Sequence, residues 1–205
     1  MKRIFVTGIS TDVGKTIASA IITEALEADY WKPIQAGDLE YSDSHKIAEL
    51  ISNKKTVIHK NSFALKTPMS PHAAADIDGI SIEIDAIREP DTTNDLIIEG
   101  AGGLLVPISR ERTILDIIQP HYKVVVVARH YLGSINHSLL TIGWLQQRGF
   151  DVSVLFSGNE HPTTEDIILS KTGVTSIGRI TEETSFNKEV IKKYANDLRS
   201  ALVSL

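Results

Sequence analysis

Residues 2–16 read KRIFVTGISTDVGKT, from Lys2 to Thr16. An apolar run, Ile4-Phe5-Val6, stops at Gly8, and a second glycine, Gly14, stands just before Lys15 and Thr16. The run predicts a buried strand. Ile17, Ile21, Ile22 and Leu26 then recur with helical spacing, which predicts a helix from Lys15 to about Ala28. A strand, a glycine-bounded turn and a helix in that order make an anion site, because loop N–H groups and the positive helix end face one point. A lysine there adds a cation for the β- and γ-phosphates of a nucleotide, and a threonine hydroxyl supplies a Mg²⁺ ligand. The common phosphate loop has four residues between its first glycine and Gly-Lys-Ser/Thr; here there are five, Ile9 to Val13. The plainer reading is a glycine turn that caps a helix beside a snorkelling lysine. Gly-Lys-Thr in this setting favours the phosphate.

Outward from this stretch, strands and helices alternate. Asp29–Gln35 (DYWKPIQ) reads as a second strand, and Asp43–Ser52 as a helix. Asn94–Gly103 is a strand that ends in glycines. Lys123–Ala128 is a β-branched run typical of a central parallel strand. Ser134–Arg148 is a helix closed by Gly149, Phe150–Gly158 a strand, Thr163–Lys171 a helix, Thr175–Ile180 a short strand and Phe186–Leu202 a closing helix. This order predicts an α/β fold of the P-loop NTPase type, a parallel sheet with helices on both faces, in one domain over residues 1–205. Thr56–Ile80, with Pro68 and Pro71, is the least regular part and has the character of a binding loop.

Composition narrows the function. A formal charge of -5 argues against a broad basic face for nucleic acid. The absence of cysteine excludes disulfides, thiol nucleophiles and cysteine metal sites. No apolar stretch reaches membrane-span length, so the expectation is a soluble, cytoplasmic protein without nucleic acid or membrane partners.

A phosphate loop needs metal ligands, and ligands gather at the carboxyl edge of a parallel sheet. Glu99 ends the apolar Leu96-Ile97-Ile98 and opens Gly-Ala-Gly-Gly. Asp43 follows the second strand by a short loop. Thr16, Asp43 and Glu99 can share one Mg²⁺ with phosphate oxygens, although Asp43 in Tyr-Ser-Asp-Ser also suits a helix N-cap region. Lys32 stands inside Tyr-Trp-Lys-Pro-Ile, with Pro33 fixing it in extended geometry. It reads equally as an edge lysine reaching solvent and as a second cation for the phosphates.

Six segments in order, FVTGISTDVGKT, WKPIQAG, SDS, MSPHAAA, IIEGAGGLLVPI and LGSINHSLLT, resemble the dethiobiotin synthetase family. The likeness runs from Met1 to about Asn159, and the five-residue loop is similar to this family's own form. The resemblance implies ATP-dependent ring closure on 7,8-diaminopelargonic acid with CO₂, giving dethiobiotin, ADP and phosphate through a carbamate and a carbamic-phosphoric anhydride. It implies ATP binding by Asp12, Val13, Gly14, Lys15, Thr16 and Ile17, with Asp43, Glu99, Gly100, Ala101 and Gly102. Asn159 would read adenine. Mg²⁺ would be held by Thr16, Asp43 and Glu99, and Lys32 and Lys15 would be the catalytic cations. Thr11, Ala36, Ser70, Pro71 and His72 would lie near the diamine and carbamate. Gly133, Ser134 and Asn136 would receive the substrate's carboxylate tail from the second subunit of a homodimer.

Two places depart from the resemblance. Ala36 stands where many relatives carry a hydroxyl residue, and the segment RITEETSF (residues 179–186) lacks a proline that packs on adenine in some relatives. A ParA/MinD-like switch ATPase shares the architecture, but such proteins usually carry an early loop lysine where this loop has Ser10, Thr11 and Asp12. A glutamine-dependent synthetase of cobalamin assembly is disfavoured by the lack of cysteine.

Overall fold

The structure is a computed structural model that describes residues 1–205. Nine strands and six α-helices follow the chain. They are β1 (Arg3–Gly8), α1 (Lys15–Leu26), β2 (Asp29–Trp31), β3 (Ile34–Ala36), α2 (Asp43–Leu50), β4 (Ile58–His59), β5 (Phe63–Leu65) and α3 (Pro71–Asp78). Then come β6 (Leu96–Gly103), β7 (Lys123–Arg129), α4 (Ser134–Gln147), β8 (Asp151–Ser157), α5 (Pro162–Thr172), β9 (Thr175–Ile180) and α6 (Lys188–Val203). The main sheet has seven strands in the order β4-β2-β6-β1-β7-β8-β9, and every neighbouring pair is parallel. The parallel α/β expectation therefore holds. Helix α1 packs with α2 and α6, and α4 packs with α5.

The core follows from composition. Val124, Val125, Val126 and Val127 of β7 are all buried, as a strand between two neighbours and two helix layers must be. β1 lies between β6 and β7, where the strand order turns from one side of the sheet to the other. Ligands of open α/β sheets bind beyond the strand ends at such a point.

The segment Asp29–Gln35 is not one strand. The chain leaves the main sheet after Trp31, and Ile34–Ala36 pairs with β5 in a separate two-stranded sheet. Pro33 is the cause: it has no N–H for the ladder, and its carbonyl instead accepts from the N–H groups of Ser62 (2.8 Å) and Phe63 (3.0 Å). Lys32 sits at the jump between the two sheets. The stretch Thr56–Ile80 is also more regular than its sequence suggests, since it contains β4, β5 and α3. Helix α3 has Pro71 at its first turn and Gly79 at its C-cap with φ 68°, a start and stop that both favour a helix.

Candidate active site

At the carboxyl edge, Gly8 ends β1 in a position that admits no side chain. An added Cβ would lie 2.6 Å from Val13 Cγ2 and 2.7 Å from the Ser10 carbonyl oxygen. Gly14 precedes α1 with φ 94°, a left-handed conformation, and its Cβ would lie 2.9 Å from Ser157 Oγ. Close approach thus sets Gly8, and backbone geometry together with close approach sets Gly14. The loop between them brings the Lys15 ammonium back over itself, where it donates to the Ser10 carbonyl at 3.0 Å. Burial lowers the Lys15 pKa from its ordinary value; Glu99 opposes the shift, and the like charge of Lys32 adds to it.

Below Lys15 lies a buried polar cluster. Thr16 Oγ1 lies within hydrogen-bond reach of Glu99 Oε1 (3.0 Å) and Asp43 Oδ1 (3.1 Å), with one O–H to donate between them. Lys32 Nζ donates to Asp43 Oδ2 (2.5 Å) and Glu99 Oε1 (3.0 Å), and the Tyr30 hydroxyl donates to Glu99 Oε2 (2.9 Å). Lys32 is only 6% exposed and Glu99 only 1%, so Lys32 is not an edge lysine reaching solvent. Burial alone would lower the Lys32 pKa, but Glu99 and Asp43 outweigh it and raise it. Burial likewise works against the Asp43 charge, yet Lys32 and Lys46 hold its carboxyl down at about 2. Asp43 does not cap α2. Ser42 is the N-cap and donates its N–H to His45 Nδ1 at 3.0 Å, which leaves Asp43 at the first helical position for the cluster.

No three His, Cys, Asp or Glu side chains come together as a metal centre. The donor set here is two carboxylates and one hydroxyl, all hard oxygens. It fits Mg²⁺, an ion that keeps several waters and shares phosphate oxygens rather than taking an all-protein cage.

The cluster opens into a cavity of about 910 Å³. Of the residues singled out in the sequence, Thr11, Asp12, Gly14, Lys15, Thr16 and Ile17 line it from the loop. Lys32, Ala36, Asp43, Ser70 and Pro71 line it opposite, with Glu99, Ala101 and Gly102 at its floor. Val13 is buried instead, and Gly100 packs against Phe5 and Ile114. His72 is absent from the lining, and its ring lies 3.1 Å from Ser70 Oγ.

Gly133, Ser134 and Asn136 are not at this cavity. Gly133 is the N-cap of α4 with φ 100°, so neither Ser134 nor Asn136 caps the helix. Gly133 and Asn136 are exposed, whereas Ser134 is buried and its N–H already bonds the Tyr131 carbonyl. Beside them a second hollow of about 620 Å³ is lined by Leu104, Leu105, His137, Leu140 and Trp144, and it shares Thr11 with the main cavity.

Asn159 is exposed just past the rim residue Gly158. Its carbonyl accepts from Arg179 (3.3 Å), which also pairs with Glu165, and Glu165 in turn accepts from the His161 N–H (3.1 Å) and contacts His130 (2.8 Å). Sequence reasoning missed Gln35, Arg129, Ser157, Glu182 and Phe186, which also line the cavity. They come from strand ends and loops that only the topology joins; the one available signal was that Gln35 and Ser157 fall at the ends of predicted strands and Arg129 and Glu182 just past them.

Residues 2–190 match a family model described as an AAA domain. The chain is 56% identical to "ATP-dependent dethiobiotin synthetase BioD" of Christiangramia forsetii, over 100% of this chain and 99% of that one. It is 48% identical to the protein of the same name from Cytophaga hutchinsonii, over 95% and 96%. Among solved structures, it is similar to the MinC:MinD cell division protein complex of Aquifex aeolicus (TM-score 0.61, 14% identity, covering 100% and 97%). It is also similar to a ParA family ATPase of Chlorobium tepidum (TM-score 0.60, 11% identity, covering 100% of both). At these identities the structural likeness shows the fold alone.

Proposed function

The chain belongs to the ATP-dependent dethiobiotin synthetase family, and from that premise we propose that it closes the ureido ring of dethiobiotin on 7,8-diaminopelargonic acid, using CO₂ and ATP. The observation that carries this reading is the cluster of Lys15, Thr16, Lys32, Asp43 and Glu99 at one end of the cavity. It places two cations and a hard-oxygen donor set where the phosphate loop opens.

The reaction assigned to it joins one amine to CO₂ as a carbamate. A carbamate oxygen attacks the γ-phosphorus, giving a carbamic-phosphoric anhydride and ADP. The second amine then attacks the carbamoyl carbon, closes the ring and releases phosphate. Little covalent work falls to the protein in such transfers, and positioning with charge stabilisation dominates. Lys15, held over the loop, is placed to follow the phosphoryl oxygens. Lys32 enters from the opposite wall and offsets the charge that builds as two anions meet. Gly8 and Gly14 let the loop backbone approach the phosphates. Thr16, Asp43 and Glu99 would hold Mg²⁺, which supplies charge neutralisation across the phosphate oxygens. Asp12 and Ile17 flank the nucleotide, and Asn159 reads the base.

The apolar hollow beside α4 supports the remaining role, in which Gly133 and Asn136 take the substrate's carboxylate tail across a two-fold interface. Ser134 serves there through its place in the helix start rather than through its buried hydroxyl. No helix is long and apolar enough to cross a membrane, and we place the enzyme in the cytoplasm.

The test is ATP turnover with the diamine and bicarbonate supplied separately and together, with dethiobiotin detected by mass spectrometry. Turnover that requires both confirms the enzyme. Turnover indifferent to the diamine points instead to a switch ATPase.

A further inference from the structure

Gln35 lies on β3, two residues past the point where Pro33 sends the chain out of the main sheet. It is 4% exposed and lines the main cavity on the wall that also carries Lys32, Ala36, Pro68 and Ser70. Its amide is used at one end only. Nε2 donates to the Gly37 carbonyl at 3.1 Å, and Oε1 is buried with no hydrogen-bond partner. That bond decides the orientation, because it fixes the nitrogen on the Gly37 side and turns the oxygen to the other. The turn it holds is itself rigid: Gly37 has φ 74°, and an added Cβ would lie 2.5 Å from Pro68 Cβ.

A buried acceptor without a donor loses its bonds to water and gains none in return. Such a group in a folded protein calls for a reason. Five other buried side-chain oxygens are unpartnered, those of Thr7, Ser19, Thr23, Ser44 and Ser138. Each is a hydroxyl that can turn, and none lines the cavity. Gln35 combines an orphan acceptor, a fixed orientation and a place on the cavity wall.

We propose that Gln35 is a substrate-recognition residue whose Oε1 accepts a hydrogen bond from an amine N–H of the diamine. The inference rests on the reading that the diamine enters this cavity. An amine about to attack CO₂ keeps its N–H bonds, and a neutral acceptor orients it without taking its proton or pairing it as an ammonium.

The test is Gln35→Met, which keeps length and removes both polar ends, with steady-state kinetics and a thermal melt. The expected result is a KM for the diamine raised about tenfold, the loss of one buried hydrogen bond. The KM for ATP should stay within about twofold. The Tm should stay close to the parent's, because the variant sheds the unpaired Oε1 and at the same time leaves the Gly37 carbonyl without its donor. Gln35→Leu repeats the measurement if Met disturbs the packing. A folded variant with the parent's KM for the diamine overturns the proposal. So does a fall in Tm with both KM values raised together, which marks Gln35 as a residue of the fold only. If the parent itself shows no diamine-dependent turnover, the functional reading fails first, and this proposal fails with it.

Discussion

At one end of the main cavity Lys15, Lys32 and Glu99 are buried, with Asp43 largely so, and each is already paired within the chain. At the other end Arg129 and Glu182 form an ion pair of 3.0 Å with side chains 45% and 55% exposed, and Asn159 stands in solvent. The two ends handle charge under different dielectric conditions. A buried charge must have its partner in place before any ligand arrives, so the phosphate end is bound up with the fold. An exposed pair is screened by water and contributes little, so the far end can change without disturbing the rest.

The sharpest break of this contrast is Lys32→Ala. It removes a buried charge, leaves Glu99 without its cation and leaves Asp43 with Lys46 alone. Turnover should fall by about 10²–10³ or more, and unfolding stability should drop by about 3 kcal/mol. Turnover assays and urea melts read the two effects separately, and near-parent values in both would remove Lys32 from the site. Glu99→Gln comes next. It keeps the size and shape of the side chain but removes the charge of a proposed Mg²⁺ ligand, so turnover should fall at least tenfold and recover in part as Mg²⁺ is raised. A Mg²⁺ dependence identical to the parent's would take Glu99 out of the ligand set.

Acid titration is a milder probe of the same end. The Asp43 carboxyl has its pKa lowered from 3.8 to about 2 in the fold. Its contribution to stability is therefore complete above about pH 4 and is lost as pH falls toward 2, amounting to about 2 kcal/mol. Asp43→Asn should flatten that part of the acid unfolding curve, followed by circular dichroism. Lys32 acts in the opposite sense: its raised pKa keeps its contribution below pH 10.5 and loses it only beyond, on the alkaline side. The smallest effect belongs to the exposed end. Glu182→Gln should change stability by less than about 1 kcal/mol in a thermal melt, and a larger loss would mean that this end is as bound up with the fold as the other.

The same contrast explains what could be read in the sequence. Phosphate binding has few solutions, and the strand, glycine turn and Gly-Lys-Thr announce one of them. Glu99 was legible because a carboxylate after three apolar residues has no bland use. Lys32 was not decidable, since whether a lysine in a short strand is buried depends on which strands flank it. The break at Pro33 had a sequence signal, because proline inside a central strand argues against that strand, and the flanking apolar residues masked it. Helix α3 was hidden behind its prolines, although Pro71 and Gly79 mark its two ends. The exposed end was illegible for a different reason. Arg129, Glu182 and Phe186 carry no motif, and only the strand order brings them to one rim.

The jump at Pro33 also bears on how the chain can change in length. Between Trp31, the last residue of one sheet, and Ile34, the first of another, Lys32 and Pro33 are the whole connection. Side chains alternate from side to side along extended backbone, so one added or missing residue would turn the lysine away from Glu99 and Asp43. Insertions and deletions at this point are therefore closed to the lineage unless the lysine is given up. The turn between β9 and α6, residues 181–187, carries no such restriction. Gains and losses of chain should accumulate there and spare the two-residue bridge.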